Sequence, residues 1–226
     1  MSLSERISEV KTRLQAACQR SGRTPTTVSL IAVTKYVPLE TVEHVLQEGL
    51  SQIGENRWQD AQEKWETIGS RATWHFIGHL QTNKVRDVIG KFDYIHSLDR
   101  LSLAEEIQKK AMTLGIQVKC FIQLNVSGEE SKYGLAPNEL DNFAKSICGM
   151  SQLKIVGLMT MAPHSEDADL IRSVFRQLRM ERDRLNEQRI FAYDIPHLSM
   201  GMSNDYEIAI EEGATWIRLG SVLVGK

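Results

Sequence analysis

Three groups of residues in this chain have the types that chemistry needs. The first centres on one lysine. Ile31-Ala32-Val33-Thr34 is an apolar, β-branched run that stops at Lys35, followed by Tyr36-Val37-Pro38. A lysine held by apolar walls has a lowered pKa, and as a neutral amine it can form a Schiff base with a carbonyl. The plainer alternative is a strand-end lysine that snorkels or pairs, since buried lysines are mostly paired. The second group is Ser199-Met200-Gly201-Met202-Ser203 with Gly220-Ser221. Hydroxyls stand there beside glycines that let backbone N–H groups approach an anion. A helix cap at Ser203 or Asn204 and a simple turn at Gly220 would use the same residues. The third is Arg218, inside the apolar run Trp216-Ile217-Arg218-Leu219. A buried guanidinium stays charged and must be paired, with a carboxylate or with a ligand atom such as a ring nitrogen.

A fold must bring these groups together, and the hydrophobic pattern supplies one. Short apolar runs at 29–34, 52–56, 74–78, 94–98, 118–124, 155–159, 197–200 and 216–219 read as strands. Helical spacing lies between them, and Asn56 and Asp99 stand where a helix cap would. Ser203 to Glu212 reads as a helix closed by Gly213. An additional helix precedes the first strand, with Ile7, Val10, Leu14, Ala17 and Cys18 on one face. Repeated βα units imply a parallel sheet with right-handed crossovers. Eight of them in 226 residues predict an α/β fold: one (β/α)8 TIM barrel over 1–226, with an extra N-terminal helix. A doubly wound open sheet is the alternative, but Thr34 to Pro38 lacks the Gly-rich turn it would show.

In such a barrel the strand ends converge on one face, which would gather Lys35, Asn56, His79, Asn125, Met159, Ser199, Arg218 and Gly220. Phosphate sites form there from the loops after strands seven and eight. An amine, a phosphate cradle and an arginine at one mouth suit a phosphorylated pyridine aldehyde, pyridoxal phosphate. His79 and Asn83 are expected to cap and bond locally, and Glu129, Glu130 and Lys132 to form a solvated loop.

Composition sets limits. Hydrophobic residues make 42% and charged residues 25%, and the net charge of −2 favours neither nucleic acid nor an acidic membrane as partner. No run approaches the ~18 apolar residues of a membrane helix. Met1-Ser2-Leu3-Ser4-Glu5 does not read as a secretory signal. Cys18, Cys120 and Cys148 make no disulfide or metal pattern, and His44, His96, His164 and His197 share no ligand spacing. The expectation is a cytoplasmic protein without a metal.

Ala32-Val33-Thr34-Lys35, Ile53-Gly54-Glu55-Asn56, His75-Phe76-Ile77-Gly78 with Leu80-Gln81-Thr82-Asn83-Lys84, Ser131-Lys132-Tyr133-Gly134, Gly157-Leu158-Met159 and Leu198-Ser199-Met200-Gly201-Met202-Ser203 with Ile217-Arg218-Leu219-Gly220 span nearly the whole chain. In these motifs the sequence resembles the pyridoxal-phosphate homeostasis protein family, whose barrel is similar to the N-terminal domain of alanine racemase. The resemblance implies a Schiff base on Lys35, phosphate held by Ser199, Met200, Ser203, Gly220 and Ser221, Arg218 at the ring nitrogen, and Asn56 and Met159 near the cofactor. Many members carry threonine at the position of Ser221. It also implies a carrier that buffers the cofactor and affects amino-acid balance, with apoenzymes as recipients. A weak amino-acid racemase is the alternative, and an aldolase-type lysine a third. Two-base racemisation needs an acid–base group on each face of the substrate. In alanine-racemase-like enzymes a further β domain and a partner subunit supply the second, and Lys226 follows strand eight too closely to leave room for that domain. A monomer is expected.

Overall fold

Strand-forming and helix-forming runs alternate along the chain, and in the computed structural model, which describes residues 1–225, they close a barrel. The order is α1 (Leu3–Arg20), β1 (Ser29–Val33), α2 (Leu39–Gln47), β2 (Gln52–Glu55), α3 (Trp58–Ile68), β3 (Thr73–Phe76), α4 (Val85–Val88) and β4 (Tyr94–Leu98). Then come α5 (Leu101–Leu114), β5 (Val118–Gln123), α6 (Leu140–Ile147), β6 (Leu153–Met159), α7 (Ala168–Gln188), β7 (His197–Ser199), α8 (Tyr206–Glu211), β8 (Trp216–Leu219) and α9 (Ser221–Val224). Each strand pairs in parallel with the next, and β1 pairs with β8, placing Ile31 opposite Arg218 and Ala32 opposite Leu219. This is the eight-stranded α/β barrel that the alternation predicts, with α1 as the additional helix. Among the described residues no helix is long and apolar enough to cross a membrane.

Most of the core lies between the sheet and its helices, as in any barrel whose strands are covered on the outer face. The α1 stripe of Ile7, Val10, Leu14, Ala17 and Cys18 is buried. Ser2 and Glu5 form a capping box at its start. Arg6 Nε donates to the Leu223 carbonyl at 2.5 Å, and Arg13 and Arg20 pair with Glu207. The extra helix is thereby fastened to α8 and α9. Inside the barrel, Ile31, Phe121, Met159 and Trp216 form an apolar cluster. His75, His96, Ser199 and Arg218 share that interior, where branched aliphatics usually dominate.

Local details differ from the sequence reading. The last helix before β8 begins at Tyr206, not Ser203, because the Asp205 carboxylate accepts the Met202 N–H at 2.6 Å and holds 202–205 as a turn. Asp99 does not cap α5, whose N-cap is Arg100. Its carboxylate pairs with the Arg100 guanidinium at 2.6 Å. Asn56 does not cap α3 either; Arg57 occupies that position. Lys84 stands at the N-cap of α4, so His79 and Asn83 are not its caps, and the His79 ring instead stacks on Tyr133.

Gly157 shows how tightly the sheet is drawn. A Cβ there would lie 2.0 Å from the His197 carbonyl oxygen on β7. Gly157→Ala is expected to cost about 3 kcal/mol, since backbone must move to admit the methyl. Thermal unfolding should record it as a loss of about 6–12 °C in Tm.

Candidate functional site

A cavity of ≈ 850 Å³ opens at the carboxyl ends of the strands. Of the residues expected at the site, Lys35, Asn56, Ser203, Arg218, Gly220 and Ser221 line it. Lys35 emerges from β1 half-buried, its Nζ 5.0 Å from the ring centroid of Tyr36.

The backbone under Lys35 is anchored by charges the sequence reading did not single out. Thr34 Oγ1 donates to Glu55 Oε1 at 2.7 Å. Lys64 Nζ, from α3, donates to Glu55 Oε1 at 2.8 Å and to the Thr34 carbonyl at 2.7 Å. Glu55 is fully buried and Lys64 nearly so. Burial pushes the Glu55 carboxyl up, against the downward pull of Lys64 and Thr34. Thr34 and Glu55 immediately precede Lys35 and Asn56, so one buried ion pair fixes two neighbouring strand ends. The signal was available: Lys64 sits on the stripe that buries Ala61 and Ile68.

Opposite, the loops after β7 and β8 meet. The Gly220 N–H donates to Ser203 Oγ at 3.3 Å. The backbone N–H groups of Ser203, Asn204, Ser221 and Val222 donate to no protein group among the described residues. The last two open α9, so the positive end of its dipole adds to theirs. Gly201 serves packing rather than close approach to a ligand. Its φ is 94°, and a Cβ would lie 2.6 Å from that of Ala209 on α8.

Arg218 forms part of the cavity wall, although only 5% exposed. Its guanidinium donates to Ser199 Oγ at 2.7 Å and to the Thr160 carbonyl at 3.0 Å. It forms no ion pair with a carboxylate among the described residues, and burial lowers its pKa to about 10, against a weaker upward pull from Asp205. Ser199, Met200 and Met159 do not line the cavity. Ser199 lies beneath Arg218, the Met200 N–H bonds the Trp216 carbonyl at 3.1 Å, and Met159 belongs to the inner apolar cluster.

Lys132 also lines the cavity, where a solvated loop was expected. Its Nζ donates to Glu129 at 2.6 Å and to the Ala162 carbonyl at 2.9 Å, folding the loop back onto the mouth. Nothing in its own sequence, a run of polar residues, signals that contact.

The donor set fits pyridoxal phosphate. The uncommitted amides of Ser203, Asn204 and Ser221 stand at the cavity wall to meet a dianion, and a primary amine and a guanidinium complete the set. Asn56 Oδ1 is buried without a hydrogen-bond partner, an acceptor still to be used.

Known proteins are similar to this chain over its whole length. Residues 7–226 match the family described as alanine racemase, N-terminal domain. The pyridoxal phosphate homeostasis protein of Aquifex aeolicus is 44% identical over 227 residues, covering 100% of this chain and 99% of that one. Its namesake in Pseudomonas aeruginosa is 37% identical, covering 99% and 95%. PipY of Synechococcus elongatus, solved with pyridoxal phosphate bound, superposes with a TM-score of 0.86 at 34% identity, covering 99% of this chain and 100% of PipY. The chain belongs to the alanine racemase N-terminal domain family and, within it, to the pyridoxal phosphate homeostasis proteins.

Proposed function

We propose that this protein binds pyridoxal phosphate at the barrel mouth and maintains the supply of that cofactor, with Lys35 as the capturing amine. The observation that carries this is one cavity lined by Lys35, Arg218 and the residues Ser203, Asn204 and Ser221, whose amides are uncommitted. When bound, the cofactor supplies an aldehyde that condenses with a primary amine, C=O becoming C=N with loss of one water. Lys35 offers the amine from a strand end that Glu55 and Lys64 hold in place. Ser203, Gly220, Ser221 and the α9 N-terminus hold the phosphate. Ser199 and Met200 support that loop from below. Arg218 stays protonated and presents N–H to the ring nitrogen, leaving the ring a poor electron sink. Asn56 flanks the cofactor from β2, and Met159 packs in the layer beneath.

A carrier is favoured over a racemase. Racemisation needs acid–base groups on both faces of a substrate. Tyr36, the neighbouring hydroxyl, stands at the rim of the cavity but is 79% exposed, so nothing holds it against one face of a substrate. The same reading has a cytoplasmic monomer that passes cofactor to apoenzymes through an open mouth.

Absorbance titration of the purified protein with pyridoxal phosphate tests it. A band at about 420 nm is expected, bleached by borohydride with the label on the peptide holding Lys35. A protein that stays colourless and unlabelled would refute the reading.

A further inference from the structure

A line of polar side chains crosses the barrel interior and ends at Arg218. Gln52 Oε1, near the start of β2, lies 2.8 Å from His75 Nε2. His75 Nδ1 lies 3.0 Å from His96 Nε2, and His96 Nδ1 2.9 Å from Ser199 Oγ. Ser199 Oγ accepts from Arg218 at 2.7 Å. His75, His96 and Ser199 are all 0% exposed. Aromatic faces clamp both imidazoles: His75 stacks on Tyr94 at 4.8 Å and His96 on Phe121 at 4.2 Å. Polar groups this deep are tolerated only when every hydrogen bond is made.

The chemistry of the two ends sets the direction of every bond. A guanidinium only donates, so Ser199 Oγ accepts there and sends its own proton to His96 Nδ1. His96 then carries its proton on Nε2 and donates to His75 Nδ1. His75 in turn donates from Nε2 to the Gln52 carbonyl oxygen. Turning the Gln52 amide over would reverse the imidazoles. His96 and Arg218 would then both donate to Ser199, and its hydroxyl proton would be stranded in the core. Only the first arrangement satisfies all members, and it requires both imidazoles to be neutral. Burial lowers His75 to about 3 and His96 well below the usual imidazole range. The charges that face them, Lys119 toward His75 and Arg218 toward His96, also oppose a proton.

With Ser199 fixed by the relay and Thr160 fixed by the backbone, the guanidinium plane is held at two points. We propose that His75, His96 and Ser199 are positioning residues, an oriented hydrogen-bond relay that sets the Arg218 guanidinium so that its free N–H groups meet the ring nitrogen of the ligand. The proposal rests on the pyridoxal phosphate reading of the cavity. It goes beyond that reading by giving a directing role to groups that never touch the ligand.

The experiment has two arms. Nitrogen-15 NMR of the ligand-free protein reads the histidine tautomers directly and needs neither variant nor cofactor. Both His75 and His96 are expected as neutral Nε2–H forms across about pH 5 to 8. An Nδ1–H form, or a charged imidazole, at either position would overturn the relay. The second arm compares Ser199→Ala with Ser199→Thr, both titrated with pyridoxal phosphate. Ser199→Ala is expected to bind about tenfold more weakly, a change of one logarithmic unit. It should also move the pH midpoint of the visible band about one unit lower, because a ring nitrogen freed from Arg218 takes up a proton and makes the C=N nitrogen less basic. Ser199→Thr restores the hydroxyl and should restore both values. Unchanged affinity and midpoint in Ser199→Ala, with Lys35 still labelled by borohydride, would overturn the positioning role alone. Failure of wild-type labelling would instead overturn the cofactor reading.

Discussion

Lys35→Ala is expected to abolish the visible band and all borohydride-fixed label while leaving the fold intact. Among the described residues the cavity wall carries one other lysine, Lys132, and its Nζ is already engaged by Glu129 at 2.6 Å and the Ala162 carbonyl at 2.9 Å. Among the described residues no second amine stands ready to replace the first. Lys35 is half-buried, so its removal should change stability by no more than about 0.5 kcal/mol. The uncommitted amides of the last two loops and Arg218 keep their places, so weak, reversible binding without the Schiff-base band should persist. Affinity should fall by about a hundredfold or more, equivalent to ~2.7 kcal/mol. Equilibrium dialysis gives the residual affinity, and a melt confirms the fold. A band that survives, with label on another lysine, would move the capturing role to that residue.

Lys64→Met is expected to be the most destabilising of the changes considered, at about 3–5 kcal/mol, because it strands a buried carboxylate. Glu55 is 0% exposed, and its Oε2 already lacks a partner. The change also deprives the Thr34 carbonyl of its Nζ donor, immediately before Lys35. The loss should depend on pH. Burial holds the folded Glu55 carboxyl above its ordinary value of 4.5. Between that value and the raised one, the folded state binds more protons than the unfolded state, so stability from this group is fullest below 4.5 and falls as pH rises through the window. Without Lys64 the upward push is less opposed and the window extends further. Lys64→Met should therefore lose more stability at pH 8 than at pH 5 in denaturant titrations. Adding Glu55→Gln should recover part of the loss at the higher pH. Equal losses at both pH values would remove the ion pair from the account.

The strands were legible because buried parallel strands are continuous apolar runs bounded by polar ends. Lys35 and Arg218 stood out for the same reason, each a charge set against such a run. The loops after the last two strands were legible from their glycines and hydroxyls. What the pattern does not carry is which face of a strand looks into the barrel. A strand apolar on both faces has no period-2 signal, so nothing in the sequence joins His75 to His96, although their rings meet inside. Ser199 was grouped with the phosphate residues by its neighbours in sequence, while its side chain points to partners on β4 and β8. Glu55 and Lys64 join a strand to a helix, a contact decided by packing. The short helix α9 lacks a periodic stripe long enough to register.

The seam between β1 and β8 has a consequence for how the molecule is made. Lys35 leaves the first strand, and Arg218 and Gly220 belong to the last, so the pocket straddles the line where the barrel closes. A chain emerging from the ribosome holds Lys35 early and the loops after β7 and β8 only when synthesis is nearly over. Cofactor capture must therefore await the closing strand. Once bound, the ligand acts as a clasp on that closure, worth about 2.7 kcal/mol at a hundredfold excess over its Kd. The seam itself forms without the ligand, β1 pairing with β8 from Ser29 to Ala32, so binding tightens a closure already made.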